Sequence, residues 1–192
     1  MTKINRIEIC GNIASGKTTL AKAFGVQLGY ANVFEDFTSV QTLTDFYQSP
    51  KEFAFETEII FTLLHYYQLK KLNGNFAVAD FSLINDYAFA LTTLNKKEFD
   101  IYEKLFDDIL YKIGFPKHVI MVKTNINTLL NRISTRSRNN ELLISEDYLI
   151  SIQKNIERSI VDKFSCVKVT TIDSDKCNIE NYTQTFLKSL IK

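Results

Sequence analysis

Short apolar runs alternate along the chain with longer segments whose apolar residues recur at helical spacing. The short runs are bounded by polar residues and predict buried strands. They are Ile7–Cys10, Asn32–Phe34, Phe76–Ala79, Val119–Val122 and Val167–Ile172, the first reaching back to Ile4. The helical pattern covers about 17–28, 40–48, 50–72, 83–94, 97–112, 125–136, 145–163 and 178–191.

Strands that alternate with helices predict an α/β fold, with a five-stranded parallel sheet covered by helices on both faces. The 192 residues contain no low-complexity segment, internal repeat or linker, so residues 1–192 are expected to form one domain. Ligands bind at the carboxyl ends of the strands in such a sheet. The residues that follow each predicted strand are therefore the candidates for chemistry.

A glycine-rich segment connects the first predicted strand to the first predicted helix. Its residues Gly11–Thr18 fit the pattern G-x-x-x-x-G-K-[ST] of a phosphate-binding P-loop. Backbone N–H groups of such a loop bind phosphate oxygens, Lys17 adds a charge at the β- and γ-phosphates, and Thr18 offers a hydroxyl group to Mg²⁺. The segment predicts binding of a nucleoside triphosphate. The predicted contacts are Gly11, Asn12, Ala14, Ser15, Gly16, Lys17, Thr18 and Thr19.

Acidic residues end the second and third predicted strands. Glu35 and Asp36 follow the second strand, and Asp80 follows the third. A carboxylate beside a P-loop can hold Mg²⁺ or accept the proton of an attacking hydroxyl group. Strand-ending acids can instead be ordinary turn residues or helix caps.

An arginine-rich segment ends the helix that follows the fourth predicted strand. Arg132 and Arg136 are one helical turn apart and share a face, and Arg138 lies just beyond. Guanidinium groups near a P-loop neutralise the charge that develops on a transferred phosphoryl group. The segment predicts a helical lid over the phosphates, and a solvated helix end is the alternative.

The helix that begins at Pro50 carries two polar residues on an otherwise apolar stripe. Ala54, Glu58, Phe61 and His65 follow one another at steps of four, three and four residues. Interior polar side chains need partners, and a ligand can provide them. A partly exposed seam, or a hydrogen bond between His65 and a nearby carbonyl, would also explain these residues.

Charge and composition narrow the classes of partner. The formal net charge is +1, so no basic field indicates a nucleic-acid partner. No apolar run approaches the roughly 20 residues that span a bilayer, and the first residues do not resemble a signal peptide. Cys10, Cys166 and Cys177 lack metal-binding spacing and are expected to be reduced and structural. We therefore expect a cytoplasmic protein without a membrane or nucleic-acid partner.

Several segments together resemble the deoxynucleoside kinase family, which includes bacterial deoxyadenosine/deoxyguanosine kinases and animal deoxycytidine kinase. Gly11–Thr19 is similar to the family's G-N-I-G-S-G-K-[ST]-T loop, and Phe46–Phe55 is similar to its F-Y-x-x-P-x-[RK]-[WY]-[AS]-F run. Asp80–Ser82 stands at the [DE]-R-S motif, and Asp86 begins the D-x-x-F-A pattern of the next helix. Arg132–Glu141 has the lid spacing R-I-x-x-R-x-R-x-x-E, so the resemblance covers nearly the whole chain.

The resemblance implies a P-loop kinase that transfers the γ-phosphoryl group of ATP, with Mg²⁺, to the 5′-hydroxyl group of a deoxynucleoside. It implies that Glu35 is the base for that hydroxyl group and that Asp80 lies beside Mg²⁺. It also implies that the lid arginines bind the donor phosphates; they are Arg132, Arg136 and Arg138.

The resemblance further implies a set of residues that bind the acceptor. Tyr47 and Glu141 match the pair that holds the sugar 3′-hydroxyl group. Glu58 occupies the position of a glutamine that contacts the base, and His65 and Asp86 occupy the positions of an Arg–Asp pair near the base. The family also pairs as a homodimer through the helices that match 50–72 and 83–112 here, so a homodimer is expected.

Three departures from the family pattern bear on the chemistry of the site. Phe81 replaces the arginine of the [DE]-R-S motif, Glu58 replaces the glutamine, and His65 replaces an arginine. An ionised glutamate presents only acceptors, which suits an edge with two donors such as the N1–H and amino group of guanine. The departures leave two alternatives to a deoxynucleoside kinase open. They are a nucleotide-binding regulator that lost catalysis, and a P-loop kinase for another small hydroxyl substrate.

Overall fold

The structure is a computed structural model that describes residues 5–36, 40, 42–72, 76–136, 144–176 and 188–189. Across these ranges, strands and helices alternate as the sequence predicts. The strands are β1 (Arg6–Gly11), β2 (Ala31–Val33), β3 (Ala77–Ala79), β4 (His118–Lys123) and β5 (Val169–Asp173). The helices are α1 (Lys17–Leu28), α2 (Thr42–Gln48), α3 (Pro50–Lys70), α4 (Leu83–Thr93), α5 (Lys96–Ile113), α6 (Ile126–Arg136) and α7 (Glu146–Asp162). The helix predicted over 178–191 lies outside the described residues except for 188–189.

The strands form one parallel sheet in the order β2-β3-β1-β4-β5. β1 is central because it pairs with β3 on one side and with β4 on the other. Parallel neighbours require crossover connections, which the helices supply across both faces of the sheet. The predicted α/β fold with a five-stranded parallel sheet is confirmed.

Apolar side chains cover the sheet on both faces. On one face, Leu20 and Phe24 of α1 pack in a fully buried cluster with Ile9 of β1. On the other face, the larger cluster joins α4, α5 and α7 to the sheet and includes Phe106. Cys10 belongs to this second cluster, and burial raises the pKa of its thiol to about 12, as expected for a small apolar filler.

A buried ion pair within β1 fixes the start of α4. Arg6 Nε donates to Glu8 Oε1 at 2.7 Å, and both side chains are fully buried. The guanidinium group also donates to the carbonyls of Ile113 and Gly114 at the end of α5. Glu8 Oε2 accepts hydrogen bonds from the Ser82 hydroxyl group and from the N–H of Leu83. Because these bonds satisfy both buried charges, β1 holds the ends of α4 and α5 at fixed positions.

At three ends, the predicted strands extend beyond the observed ones. Phe34 and Phe76 lie outside the strands, with exposed fractions of 39% and 42%, and Phe76 stacks on Tyr30. Val167 lies in a turn in which its N–H donates to the Phe164 carbonyl. Hydrophobic pattern does not separate a surface aromatic residue from a buried strand position, so the predicted runs are one or two residues too long. No helix within the described ranges is long and apolar enough to cross a membrane.

Candidate active site

A cavity of about 790 Å³ opens at the carboxyl ends of the central strands. Its walls are the P-loop, the segments that follow β2, β3 and β5, and side chains of α2, α3, α4, α6 and α7. The cavity therefore lies at the edge of the sheet where the fold predicts ligand binding. The predicted site residues that line it are Ala14, Ser15, Gly16, Lys17, Thr18, Thr19, Glu35, Tyr47, Glu58, His65, Asp80, Asp86, Arg132 and Arg136. Arg138 and Glu141 lie outside the described residues.

The P-loop connects β1 to α1 through backbone conformations that favour glycine. Gly16 has a φ of 102° directly before α1. Gly11 has a φ of 152°, and a Cβ there would lie 2.7 Å from both Ser15 Oγ and the Val122 carbonyl oxygen. Glycine is therefore favoured at both positions for steric reasons. The N-terminus of α1 then faces the cavity, where its N–H groups favour an anion.

Gly11 and Asn12 do not line the cavity, and their contacts with the nucleotide stay a prediction. Gly11 is the last residue of β1, and the Asn85 side chain bonds both its N–H (3.0 Å) and its carbonyl group (2.8 Å). Asn12 is buried, and its Nδ2 donates to the Leu149 carbonyl in α7 at 2.8 Å. The chain turns towards the cavity only after these two residues. Their hydrogen bonds to α4 and α7 therefore hold the start of the P-loop in place.

The two acidic strand ends meet beside the P-loop. Asp80 Oδ2 accepts a hydrogen bond from the Thr18 hydroxyl group at 2.7 Å, and Asp80 Oδ1 accepts one from the backbone N–H of Glu35 at 2.7 Å. Burial raises the pKa of Asp80 above its usual value, although both hydrogen bonds oppose the rise. The ends of β2 and β3 thus present their carboxyl groups to the start of α1.

Lys17 lies in the P-loop and is partly buried. Its Nζ donates to the carbonyls of Gly11 (3.1 Å) and Asn12 (3.0 Å). Burial lowers the pKa of Lys17, while the charges of Glu35 and Asp80 raise it again. The ammonium group therefore lies where negative charge is favoured.

His65 joins three elements of the site. Its Nδ1 lies 2.9 Å from both carboxylate oxygens of Asp86 in α4, and its Nε2 lies 3.2 Å from Glu35 Oε1. Its ring stacks on Phe81 at a centroid distance of 3.9 Å and an interplanar angle of 7°. Burial lowers the pKa of His65, but Asp86 and Glu35 outweigh burial and raise it to about 10. The partners of His65 are therefore carboxylates, not the carbonyl group considered as an alternative.

Glu58 is a buried carboxyl group on the wall of the cavity. Its Oε1 accepts a hydrogen bond from the Thr93 hydroxyl group at 3.0 Å. Burial raises the pKa of Glu58 to about 8, with a further rise from the charge of Asp86. Burial therefore favours the protonated form of Glu58 in the free protein, whereas the guanine preference was argued for the ionised form.

Arg132 bridges the P-loop and the loop after β5. Its Nη1 donates to the carbonyls of Ala14 (3.3 Å) and Ser15 (3.1 Å) and to the Ser174 hydroxyl group (3.3 Å). Arg136 lies one turn further along α6 and also lines the cavity. The two arginines share the face of α6 that the sequence predicts. The lid beyond them, over 137–143, is outside the described residues.

Several residues of the site are not among the predicted ones. Asn85 binds both polar groups of the Gly11 backbone, and Phe81 stacks on His65. Phe61, Phe89 and Tyr148 add aromatic walls to the cavity. The position of Asn85, next to Asp86 in the first turn of α4, was the one available signal for its role.

The fold and the cavity define a class of protein before any comparison. A P-loop, two carboxyl groups at neighbouring strand ends and two arginines around one cavity are the parts of a P-loop phosphotransferase. The aromatic and acidic walls leave room for a small acceptor molecule beside the phosphates.

Comparisons with known proteins identify the family. Residues 7–191 match the family described as deoxynucleoside kinase. The chain is 29% identical to the deoxyguanosine kinase of Bacillus subtilis (strain 168), in an alignment that covers 88% of this chain and 86% of that protein. It is 27% identical to the deoxyadenosine/deoxycytidine kinase of the same organism, in an alignment that covers 91% of this chain and 86% of that protein. The fold matches deoxyadenosine kinase from M. mycoides with bound dATP, with a TM-score of 0.82, 22% identity and coverage of 97% and 100%.

The chain belongs to the deoxynucleoside kinase family. It is an ATP-dependent nucleoside kinase, as the resemblance implied.

Proposed function

We propose that the chain acts as one kinase domain on the 5′-hydroxyl group of a deoxynucleoside, with Glu35 as the base. The placement of Glu35 carries this proposal. Its N–H is bonded to Asp80, which is bonded in turn to Thr18 of the P-loop. A carboxylate there lies next to the place where a P-loop presents a γ-phosphoryl group. Acceptors with a 5′-hydroxyl group should therefore turn over, whereas the matching 5′-deoxy analogues should bind without being phosphorylated.

The donor phosphates are assigned to the P-loop and the basic residues around it. Backbone N–H groups from Ala14 to Thr19 would bind phosphate oxygens, and Lys17 would add positive charge. Arg132 and Arg136 would neutralise charge that develops on the transferred group, and Arg138 joins them on the resemblance alone. Catalysis in this arrangement comes from positioning and from electrostatic stabilisation.

Thr18 and Asp80 have the ligand chemistry for Mg²⁺. Their oxygens lie 2.7 Å apart beside the P-loop. Hydroxyl and carboxylate oxygens suit a hard cation, and Mg²⁺ in kinases is bound through one or two carboxylates together with phosphate oxygens. When bound there, Mg²⁺ would neutralise the phosphate charge.

The remaining side chains of the cavity are assigned to the acceptor. Tyr47 lines the cavity on α2 and would hold the sugar 3′-hydroxyl group, with Glu141 as its partner on the resemblance. Phe61 and Phe89 provide apolar walls suited to a planar base. Glu58 is the polar group beside those walls and would contact the base edge.

Glu58 offers different groups to a base in its two protonation states. The protonated form presents one donor and one acceptor, as glutamine does, and therefore also suits adenine or cytosine. The ionised form presents only acceptors and suits the N1–H and amino group of guanine. Its pKa of about 8 places both states within reach near neutral pH. We therefore retain a guanine preference for the ionised form and expect that preference to grow as the pH rises.

Glu58→Gln should remove this pH dependence. In the wild type, the ratio of kcat/KM for deoxyguanosine to that for deoxyadenosine should rise between about pH 7 and about pH 9, because Glu58 loses its proton across this interval around its pKa of about 8. The full difference corresponds to about 1–3 kcal/mol, the cost of an unpaired buried polar group. In the variant, the ratio should stay flat and lower than the wild-type ratio at high pH. A ratio that is equally flat in both proteins would mean that Glu58 does not contact the base.

A homodimer through α3 and α5 is part of the proposal. Exposed apolar side chains on these helices include Leu63, Tyr67, Ile101 and Tyr111. Unusually exposed apolar residues on one pair of packed helices favour a protein interface.

Sedimentation should therefore give twice the 22.2 kDa of one chain at micromolar concentration. Leu63→Glu combined with Tyr67→Glu should shift the protein to monomer, because burying two charges in the interface is unfavourable. Val26→Glu is the matched control, since Val26 is 81% exposed on α1 and away from these helices. A wild-type monomer would contradict the prediction.

A reduced, cytoplasmic setting completes the proposal. Cys10 and Cys166 are free thiols in the described part of the chain. Cys10 packs in the core, but Cys166 is exposed, so the structural role expected for all three cysteines does not hold for Cys166. An exposed free thiol favours a compartment in which thiols stay reduced.

A further inference from the structure

The Glu35 segment is held at its backbone and at its side chain by different elements. Its N–H donates to Asp80, and the preceding carbonyl of Phe34 accepts from Gln68 Nε2 at 3.0 Å. The Glu35 carboxylate lies 3.2 Å from His65 Nε2 of α3. This contact is a charge pair that is not aligned as a hydrogen bond. The orientation of the carboxylate thus depends on a residue outside the P-loop and the sheet.

His65 is itself held firmly. Asp86 contacts Nδ1 through both carboxylate oxygens, and the Phe81 ring covers one face of the imidazole. His65 is 1% exposed, and both of its carboxylate neighbours favour the charged imidazolium. Glu8 of β1 adds negative charge near Asp86, and Glu58 of α3 lies close enough to Asp86 for an electrostatic interaction. These surroundings supply a fixed cation whose second N–H faces Glu35.

The departures from the family pattern at positions 65 and 81 explain why a cation at His65 is needed. Position 81 carries phenylalanine where the resemblance predicts arginine, so this position supplies no cation beside the phosphates. The flat side chain instead stacks on His65, which an arginine at this position could do only by placing two cations in contact. A histidine at 65 and a phenylalanine at 81 therefore fit one another.

We propose that His65 is a positioning residue for Glu35: held by Asp86 and Phe81, it provides the cation that orients the Glu35 carboxylate towards the acceptor hydroxyl group. This rests on the proposed role of Glu35 as the base. His65 would then act on the catalytic carboxylate of Glu35 and not on the nucleobase of the acceptor, beside which the resemblance places it. Removing His65 should then slow the chemical step and leave binding of the nucleoside nearly unchanged.

His65→Gln tests the proposal through the separation of kcat from KM. We expect kcat to fall about tenfold or more, because a misplaced catalytic base loses most of its contribution to the rate. The KM for the nucleoside should change by less than about threefold. His65→Arg should recover part of kcat, because it restores a cation at the same position. A rise in KM with unchanged kcat, or an equal loss in His65→Gln and His65→Arg, would overturn the proposal.

A double-mutant cycle with Glu35→Gln separates this proposal from the role of Glu35 itself. If His65 acts through Glu35, adding His65→Gln to Glu35→Gln should lower kcat by less than about twofold further. A further loss equal to that of His65→Gln alone would show that His65 acts independently and would overturn the proposal only. Wild-type turnover in Glu35→Gln would overturn both roles.

Two further variants control for folding. His65→Gln leaves Asp86 as a buried charge, so His65→Gln/Asp86→Asn removes both charges together and should show the same loss of kcat. His118→Gln replaces the other histidine of the chain, which lies on β4 bonded to Thr170 and does not line the cavity. It should keep kcat within about twofold per folded enzyme. Wild-type kcat in the doubly neutral variant would overturn the proposal even if the single variant does not fold.

Discussion

Lys17→Ala is expected to abolish phosphoryl transfer while leaving the fold intact. The Lys17 ammonium group lies in the P-loop and is held near Glu35 and Asp80. A cation fixed where charge develops in the transition state contributes roughly 10²–10³-fold or more to turnover. Its Nζ donates to two backbone carbonyls of the loop, so its loss should have little effect on the free energy of unfolding.

Steady-state turnover and thermal unfolding of the purified variant measure the two effects. Lys22→Ala is the matched control, because Lys22 is exposed one turn along α1 and contacts only the edge of the site through the Phe34 ring. The control should retain wild-type turnover. Turnover in Lys17→Ala equal to that of the wild type would mean that this P-loop is not the catalytic site.

Glu35→Gln is expected to lower kcat by roughly 10²–10⁴-fold with a much smaller effect on nucleoside binding. The amide keeps the size of the side chain and the contact distance to His65, but it does not accept the proton of the acceptor. The backbone bond from Glu35 to Asp80 remains in the variant, so the end of β2 should keep its position.

Single-turnover rates and nucleoside affinity, measured on the same preparation, separate chemistry from binding. Asp36→Asn is the control, because Asp36 is the neighbouring acid and does not line the cavity. If Glu35→Gln reacts at the wild-type rate and Asp36→Asn does not, the base is Asp36. If neither variant slows, the role passes to Asp80.

The alternation of strands and helices, the P-loop and the acidic strand ends were predictable because each depends on local sequence. The P-loop glycines, Lys17 and Thr18 occur at fixed spacing, and a parallel sheet places Glu35 and Asp80 at the same edge. The sequence also predicted that Arg132 and Arg136 share a helical face. The structure brings all five of these charged residues to one cavity.

Other features depend on contacts between residues that are distant in sequence. The pairing of His65 with Glu35 and Asp86 needs α3, α4 and the end of β2 to be placed together, and no local pattern specifies that arrangement. The protonation of Glu58 depends on how deeply α3 is buried, which periodicity indicates only in outline. The role of Asn85 as a brace for Gly11 likewise appears only when α4 packs against β1.

The departures at Phe81, Glu58 and His65 gain a physical meaning from these contacts. At the level of sequence, the missing arginine at position 81 was the feature that supported the alternative, a nucleotide-binding regulator that had lost catalysis. In the structure, Asp86 and Glu35 raise the pKa of His65 in the same neighbourhood, and burial raises the pKa of Glu58 to about 8, which favours a protonated form with the hydrogen-bonding capacity of glutamine. The three changes therefore fit a site that keeps nucleoside kinase chemistry with altered side chains.

The position of the transferred phosphoryl group tests the central claim most directly. The enzyme is incubated with Mg²⁺, ATP and deoxyguanosine, with deoxyadenosine and deoxycytidine in parallel, and the products are assigned by ³¹P NMR with coupling to the sugar protons. The account predicts a 5′-monophosphate in which the phosphorus couples to the two 5′ protons, and no product with Lys17→Ala. A phosphorylated 3′-hydroxyl group, or ATP binding without transfer to any of the three nucleosides, would contradict it.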